Sequence, residues 1–163
     1  MNHRIEIVKE DETKMFRGYK TAFRRAIAAT LKKECFSDRA EVSVTLVTPE
    51  AIQDLNREYR GVDRETDVLS FPLWEKGEVP EKIGKTVPLG DVIVCPRVIL
   101  NQAKEFQTTP QQEFCLMVIH STLHLLGWDH TEEKEKEEMF ALQEAILSSL
   151  ELGQIRTEAE RKG

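Results

Sequence analysis

Residues 120–130 read His-Ser-Thr-Leu-His-Leu-Leu-Gly-Trp-Asp-His and hold three of the chain's four histidines, His120, His124 and His130. His120 and His124 are four residues apart, so on a helix they leave the same face, one turn apart. Gly127 can end that helix in the left-handed conformation that other residues avoid. The chain can then double back and bring His130 to the same point. Three imidazoles converging in this way make a three-ligand site for a borderline-soft divalent metal. Zinc is the first candidate, with one coordination position left for water. A closed structural zinc site would call for four protein ligands, usually rich in cysteine. Cys115 lies five residues before His120, points away from the histidine face and reads as a core thiol. His3 has no partner in sequence and reads as incidental.

The spacing His-x3-His-x5-His, with a glycine three residues after the second histidine, matches the ligand pattern of metzincin proteases. Those enzymes place a glutamate directly after the first histidine, as general base. Here that position is Ser121, whose hydroxyl accepts no proton near neutral pH unaided. Peptide hydrolysis is therefore disfavoured. Asp129, beside His130, either orients a ligand or serves as a turn residue after Gly127-Trp128. Arg57, Arg60 and Arg64 cluster at a helix end and the loop after it. The planar donor fork of a guanidinium matches phosphate oxygens. Arg57 and Arg64 have Glu58, Asp63 and Glu65 as surface partners, which leaves Arg60 as the main phosphate candidate and Arg57 as a subsidiary substrate contact.

A chain of 163 residues suits one domain with a substantial core, assigned here to residues 1–152, with a polar, frayed tail at 153–163. Cys35, Cys95 and Cys115 are odd in number and never arranged as C-x-x-C, as expected of reduced thiols in a cytoplasmic protein. The amino terminus has no apolar signal region, and no apolar run approaches membrane-spanning length. A net charge of −6 argues against a general nucleic-acid binder, DNA included. The charge is polarised, however. Residues 14–33 carry Lys14, Arg17, Lys20, Arg24, Arg25, Lys32 and Lys33 and no acid, whereas residues 132–144 carry six glutamates against Lys134 and Lys136. The acidic run reads as a solvated helix face. In the basic run, Arg17 and Arg24 are candidates to track a nucleic-acid strand.

The elements that must position these groups follow from periodicity. Residues 4–8 alternate, with Ile5 and Ile7 on one side, as a strand does. Residues 14–34 form an amphipathic helix on Phe16, Tyr19, Phe23, Ile27 and Leu31, its first turns weakened by Gly18. Residues 41–47 alternate again. Thr48-Pro49 supplies an N-cap and a first-turn proline for a short helix reaching Tyr59. Residues 67–71 and 89–95 are two more strands. Between them, residues 73–88 hold two glycines and two prolines and read as a mobile flap. Residues 97–106 are helical. Thr109-Pro110-Gln111-Gln112 has capping-box spacing and starts another helix. The run Phe114 to Ile119 is apolar on every side, so this helix is buried and carries His120 and His124 from the core to a cleft. Thr131 caps a last helix with Met139, Leu142, Ile146 and Leu150 inward. The expected fold is α+β: a small mixed four-stranded sheet packed with about five helices, with the metal site on the buried helix and the turn after it.

Three segments, His120 to His130, Leu55-Asn56 through Tyr59-Arg60 to Thr66-Asp67-Val68-Leu69-Ser70-Phe71-Pro72, and Leu89-Gly90-Asp91-Val92-Ile93, together resemble the YbeY family of bacterial endoribonucleases. The resemblance runs in order over residues 40–150. Ser121 departs from it, since glycine is the commoner residue there. The resemblance implies zinc held by His120, His124 and His130, with His120 and Arg60 at the positions needed for RNA cleavage. It also implies single-stranded RNA as substrate, including the 3′ end of small-subunit ribosomal RNA, and a role in ribosome quality control. The partners it suggests are the small ribosomal subunit, a small-subunit ribosomal protein and a ribosome-assembly GTPase. The rival readings are another metal-dependent hydrolase and a non-catalytic ribosome-assembly factor with a structural metal.

Overall fold

The computed structural model describes residues 2–152; the expected frayed tail at 153–163 lies outside the described residues. The chain runs β1 (Arg4–Lys9), α1 (Tyr19–Lys33), β2 (Ala40–Leu46), α2 (Pro49–Arg60), β3 (Val68–Pro72), β4 (Val87–Val94), α3 (Pro96–Glu105), α4 (Pro110–Leu125) and α5 (Glu133–Ser149). The strands form one mixed sheet in the order β1-β2-β4-β3. β1, β2 and β4 are parallel, and β3 pairs antiparallel with β4 at the edge. Four strands and five helices match the architecture expected from the pattern.

Alternation along the strands divides the apolar residues between two layers. Val42, Val44, Val92 and Val94 join the main core with Phe23 of α1, Phe114 and Ile119 of α4, and Ile146 of α5. The opposite face is covered near β3 by α2, where Ile52 meets Leu69, Phe71 and Ile93. At Gly90 the backbone of β3 comes so close that a Cβ would sit 2.2 Å from the Phe71 carbonyl oxygen, and its φ of +135° also excludes other residues. A register shift in the β2–β4 ladder between Glu41 and Val42 accompanies this approach.

α4 forms the centre of the helical layer. Thr109 accepts from the Gln112 backbone N–H at 3.1 Å, and the Gln112 side chain accepts from the Thr109 N–H at 3.0 Å. This is the reciprocal cap read from the sequence. Eleven of its residues are buried, among them Glu113, Phe114 to Ile119 and Ser121 to Leu123. Two helix starts differ from expectation. α1 begins at Tyr19, because Gly18 takes a left-handed conformation with φ 78°; Lys14 and Arg17 therefore precede the helix. α5 begins at Glu133, with Glu132 at the N-cap and no side-chain cap. Thr131 turns its hydroxyl to Asp129 instead, at 3.4 Å.

Strand direction fixes where the site lies. β2 and β4 start together, Ala40 opposite Val87, and antiparallel β3 ends beside them, Pro72 opposite Gly90. α1 also terminates at this end, where Glu34 accepts the indole N–H of Trp128. The turn carrying the histidines and the end of β3 thus share one end of the sheet. His3 ties the amino terminus here as well, accepting from the Ala40 N–H at 3.0 Å.

Candidate metal centre

The end of α4 is built by backbone hydrogen bonds. The Trp128 N–H donates to the Leu123 carbonyl at 3.0 Å and the Gly127 N–H to the His124 carbonyl at 3.0 Å. This nested pair is a Schellman cap, and its turning residue, Gly127, has φ 100°. The chain then reverses, as the glycine predicts, and brings His130 back over the helix face. The Asp129 carboxylate accepts from the His130 backbone N–H at 2.7 Å, and the Asp129 N–H donates to Glu135 at 3.2 Å. Of the two readings of Asp129, the turn role is the one with a visible bond. It fixes the backbone of His130, not its ring.

The three imidazoles converge. One ring nitrogen from each of His120, His124 and His130 lies within 4.8 Å of the other two. His120 Nδ1 is 2.6 Å from the Gln143 amide oxygen, and His124 Nδ1 is 2.7 Å from the Trp128 carbonyl oxygen. Both partners only accept, so both Nδ1 atoms carry the proton and both Nε2 atoms keep a lone pair. Those two Nε2 atoms face each other at 3.0 Å. Two lone pairs at that distance repel unless a cation lies between them. A tetrahedral shell with Zn–N of about 2.0–2.1 Å places donors roughly 3.3 Å apart, so a small adjustment seats an ion. Burial draws the His124 pKa below its ordinary 6.5; the Trp128 carbonyl opposes this, and the charges of His130 and Arg60 add to the lowering. The neutral ring favoured by burial is the form that binds metal. The residues present fit a divalent ion.

The arginines divide by their partners. Arg57 is held by Asp54 at 2.9 Å and Asp63 at 3.4 Å, and these contacts raise its pKa. Pairing with Asp63 was expected; pairing with Asp54 was not. Arg64 is exposed and forms no ion pair among the described residues, contrary to the pairing expected of it. Arg60, the last residue of α2, is exposed, and its charge reaches His124. Its helix end is anchored by buried Asn56, whose amide donates to the Arg64 carbonyl at 3.0 Å. Arg17 and Arg24 are both exposed. Ser121 is wholly buried and so lies outside the cleft. Cys115 is buried too, and burial pushes its thiol up to about 12, as befits a core residue.

A family model described as endoribonuclease YbeY matches residues 5–151. The chain belongs to the endoribonuclease YbeY family. Among relatives of that name, the Bacillus velezensis protein is 45% identical over 119 residues, which is 71% of this chain and 76% of the relative. The Bacillus cereus protein is 38% identical over 152 residues, 91% of this chain and 97% of that one. The solution structure of TM1509 from Thermotoga maritima superposes with a TM-score of 0.61 at 33% identity, covering 90% of this chain and 88% of that one. The enzyme class of the YbeY family is that of a nuclease, a hydrolase of phosphodiester bonds.

Sequence reasoning missed two residues around this YbeY site. Gln143 of α5 is nearly buried and bonds a histidine 23 residues away. A polar residue on the apolar stripe of α5, between Met139 and Ile146, is the one signal that could have pointed to it. Glu135 was read as part of a solvated face. It instead accepts from the Asp129 N–H and pairs with Lys76 at 3.4 Å, joining the 73–88 segment to the histidine turn. The remainder of that acidic run is mostly exposed, as expected.

Proposed function

We propose that this chain is a zinc-dependent endoribonuclease acting on single-stranded RNA, in maturation of the 3′ end of small-subunit ribosomal RNA and in ribosome quality control. The observation that carries the reading is the convergence of three histidine ring nitrogens within 4.8 Å, in a chain of the YbeY family. His120, His124 and His130 would hold the ion. A zinc ion there would polarise a phosphoryl oxygen and bring a water to a pKa of about 7.

The chain's own residues supply the remainder. Gln143 and the Trp128 carbonyl hold two imidazoles in the tautomer that presents Nε2. Arg60 stabilises the charge that grows on the non-bridging phosphate oxygens; its lack of an ion pair among the described residues favours it over Arg57 for this role. The exposed Arg17 and Arg24 lead the strand toward the cleft, with Arg57 a lesser contact. Asp129 supports the turn that carries His130. Burial of Ser121 removes it as a base and argues further against a peptidase. The reading places the enzyme in the cytoplasm, on the small ribosomal subunit, with a small-subunit ribosomal protein and an assembly GTPase as partners. Among the described residues no helix is long and apolar enough to cross a membrane.

The test pairs elemental analysis of the purified protein with mapping of cleavage ends on a defined single-stranded RNA. Arg60→Ala is expected to slow cleavage by about 10²–10³-fold with metal content unchanged. Cleavage by that variant at the wild-type rate would remove the role given to Arg60. A 2′,3′-cyclic phosphate on the product would identify the 2′-hydroxyl as nucleophile.

A further inference from the structure

We propose that Tyr59, braced by Phe71, is a stacking platform for one base of the single-stranded RNA, next to the phosphate that Arg60 contacts. The inference rests on the ribonuclease reading above and adds a base subsite to it.

Among the described residues, Tyr59 is the one Phe, Tyr or Trp side chain that is exposed. It is 62% exposed, while the remaining Phe, Tyr and Trp residues are at least half-covered. It contributes nothing to the buried face of α2, which consists of Pro49, Ile52 and Asn56. Its ring is nonetheless held in place. It meets the Phe71 ring edge to face, with centroids 5.2 Å apart and planes at 74°. An edge-to-face brace sets the orientation of a ring while leaving most of its surface open. An exposed, oriented aromatic face suits a nucleobase, since every base presents a π-face.

Its position points to RNA and not to a protein partner. Phe71 sits one residue before the end of β3, opposite Asp91. That is the end of the sheet where α1 hands Glu34 to Trp128 and where the histidines converge, with Phe71 on the α2 side of the edge strand. Arg60 follows Tyr59 directly as the last residue of α2, and it is exposed as Tyr59 is. A cation beside an open aromatic ring is the pairing that single-strand binding surfaces use, the one for phosphate and the other for base. A nucleotide whose phosphate reaches Arg60 has its own base, or its neighbour's, within a residue's span of Tyr59.

The experiment measures binding of a fluorescently labelled single-stranded RNA to the full chain stripped of metal, so that cleavage does not intervene. Tyr59→Ala is expected to weaken binding roughly tenfold, and Tyr59→Phe to bind like wild type. Tyr59→Leu keeps an apolar contact with Phe71 but has no aromatic face, and is expected to weaken binding roughly tenfold as well while unfolding at the wild-type temperature, which separates the loss of stacking from a loss of fold. A set of RNAs, each lacking one base, locates the subsite. One abasic position should weaken the wild type yet leave Tyr59→Leu unaffected, because the two losses are the same loss. Equal binding by Tyr59→Leu and wild type, or the same abasic profile for both, overturns the platform. If the wild type itself neither binds nor cuts RNA, the ribonuclease reading fails, and the platform with it.

Discussion

His120 and His124 leave a buried helix with their Nδ1 atoms already committed, one to Gln143 and one to the Trp128 carbonyl. His130 comes from the turn after the helix and is exposed; its ring rests against the other two, with centroids 5.5 Å from His120 and 4.9 Å from His124, but no group among the described residues accepts from it, and Asp129 bonds only its backbone. The helix-borne pair has lost its rotamer freedom on folding, before any ion arrives. His130, whose ring nitrogens have no such commitment, would lose its remaining freedom only on binding an ion. A site built this way has two preset donors and a less constrained third, so a metal held there would gain affinity from the rigid pair and access from the third ligand.

The most severe way to break this asymmetry is His124→Ala. It removes a preset donor and is expected to abolish stoichiometric metal and RNA cleavage together, which also exposes any contaminating ribonuclease. His130→Ala is expected to lower metal affinity less. Equal losses, read by competition with a chelator, would show that the turn-borne ligand is as preset as the others. Gln143→Leu unlocks His120 without removing a ligand. Metal affinity is expected to fall about 10–100-fold while the fold persists, and Gln143→Glu is expected to retain affinity, because a carboxylate also accepts from Nδ1.

Gly127→Ala acts on the turn between the two kinds of ligand. A Cβ at φ 100° costs about 1–2 kcal/mol, a fall in Tm of roughly 2–8 °C for a domain of this size. Thermal unfolding of the metal-free protein measures it. The mildest effect concerns pH. Burial lowers the His124 pKa in the folded state, so below about 6.5 the unfolded chain takes up a proton that the folded chain resists. The metal-free protein should keep its stability above that pH, lose some as the pH falls from there toward the folded pKa, and lose no more from this group below it. His124→Leu should flatten that limb; an unchanged acid limb would show that other groups cause it.

The same contrast between local and distant support governs how much was legible in the sequence. α4 was read in detail. Its capping box, its all-round apolarity and its terminal glycine each act within a few residues, and all three are present as expected. The convergence of the histidines followed from their spacing. Helix starts were harder to read. Phe16 is spaced as if it extended α1, but it packs on the core from outside the helix, because Gly18 prefers to break it. Among the arginines, the pairing of Arg57 with Asp63 was legible from proximity, but its second partner Asp54 and the unpaired state of Arg64 among the described residues were not, because side-chain direction decides them.

By itself, the chain determined where its elements lie and which residues could grip an ion, because periodicity, caps and a helix-ending glycine operate over one or two turns. Tertiary packing decided which atoms set the grip. The register of α5 against α4 brings Gln143 to His120, and the antiparallel return of β3 brings Phe71 to Tyr59 at the histidine end of the sheet. Those contacts depend on how whole faces fit together, and no short-range rule encodes that fit.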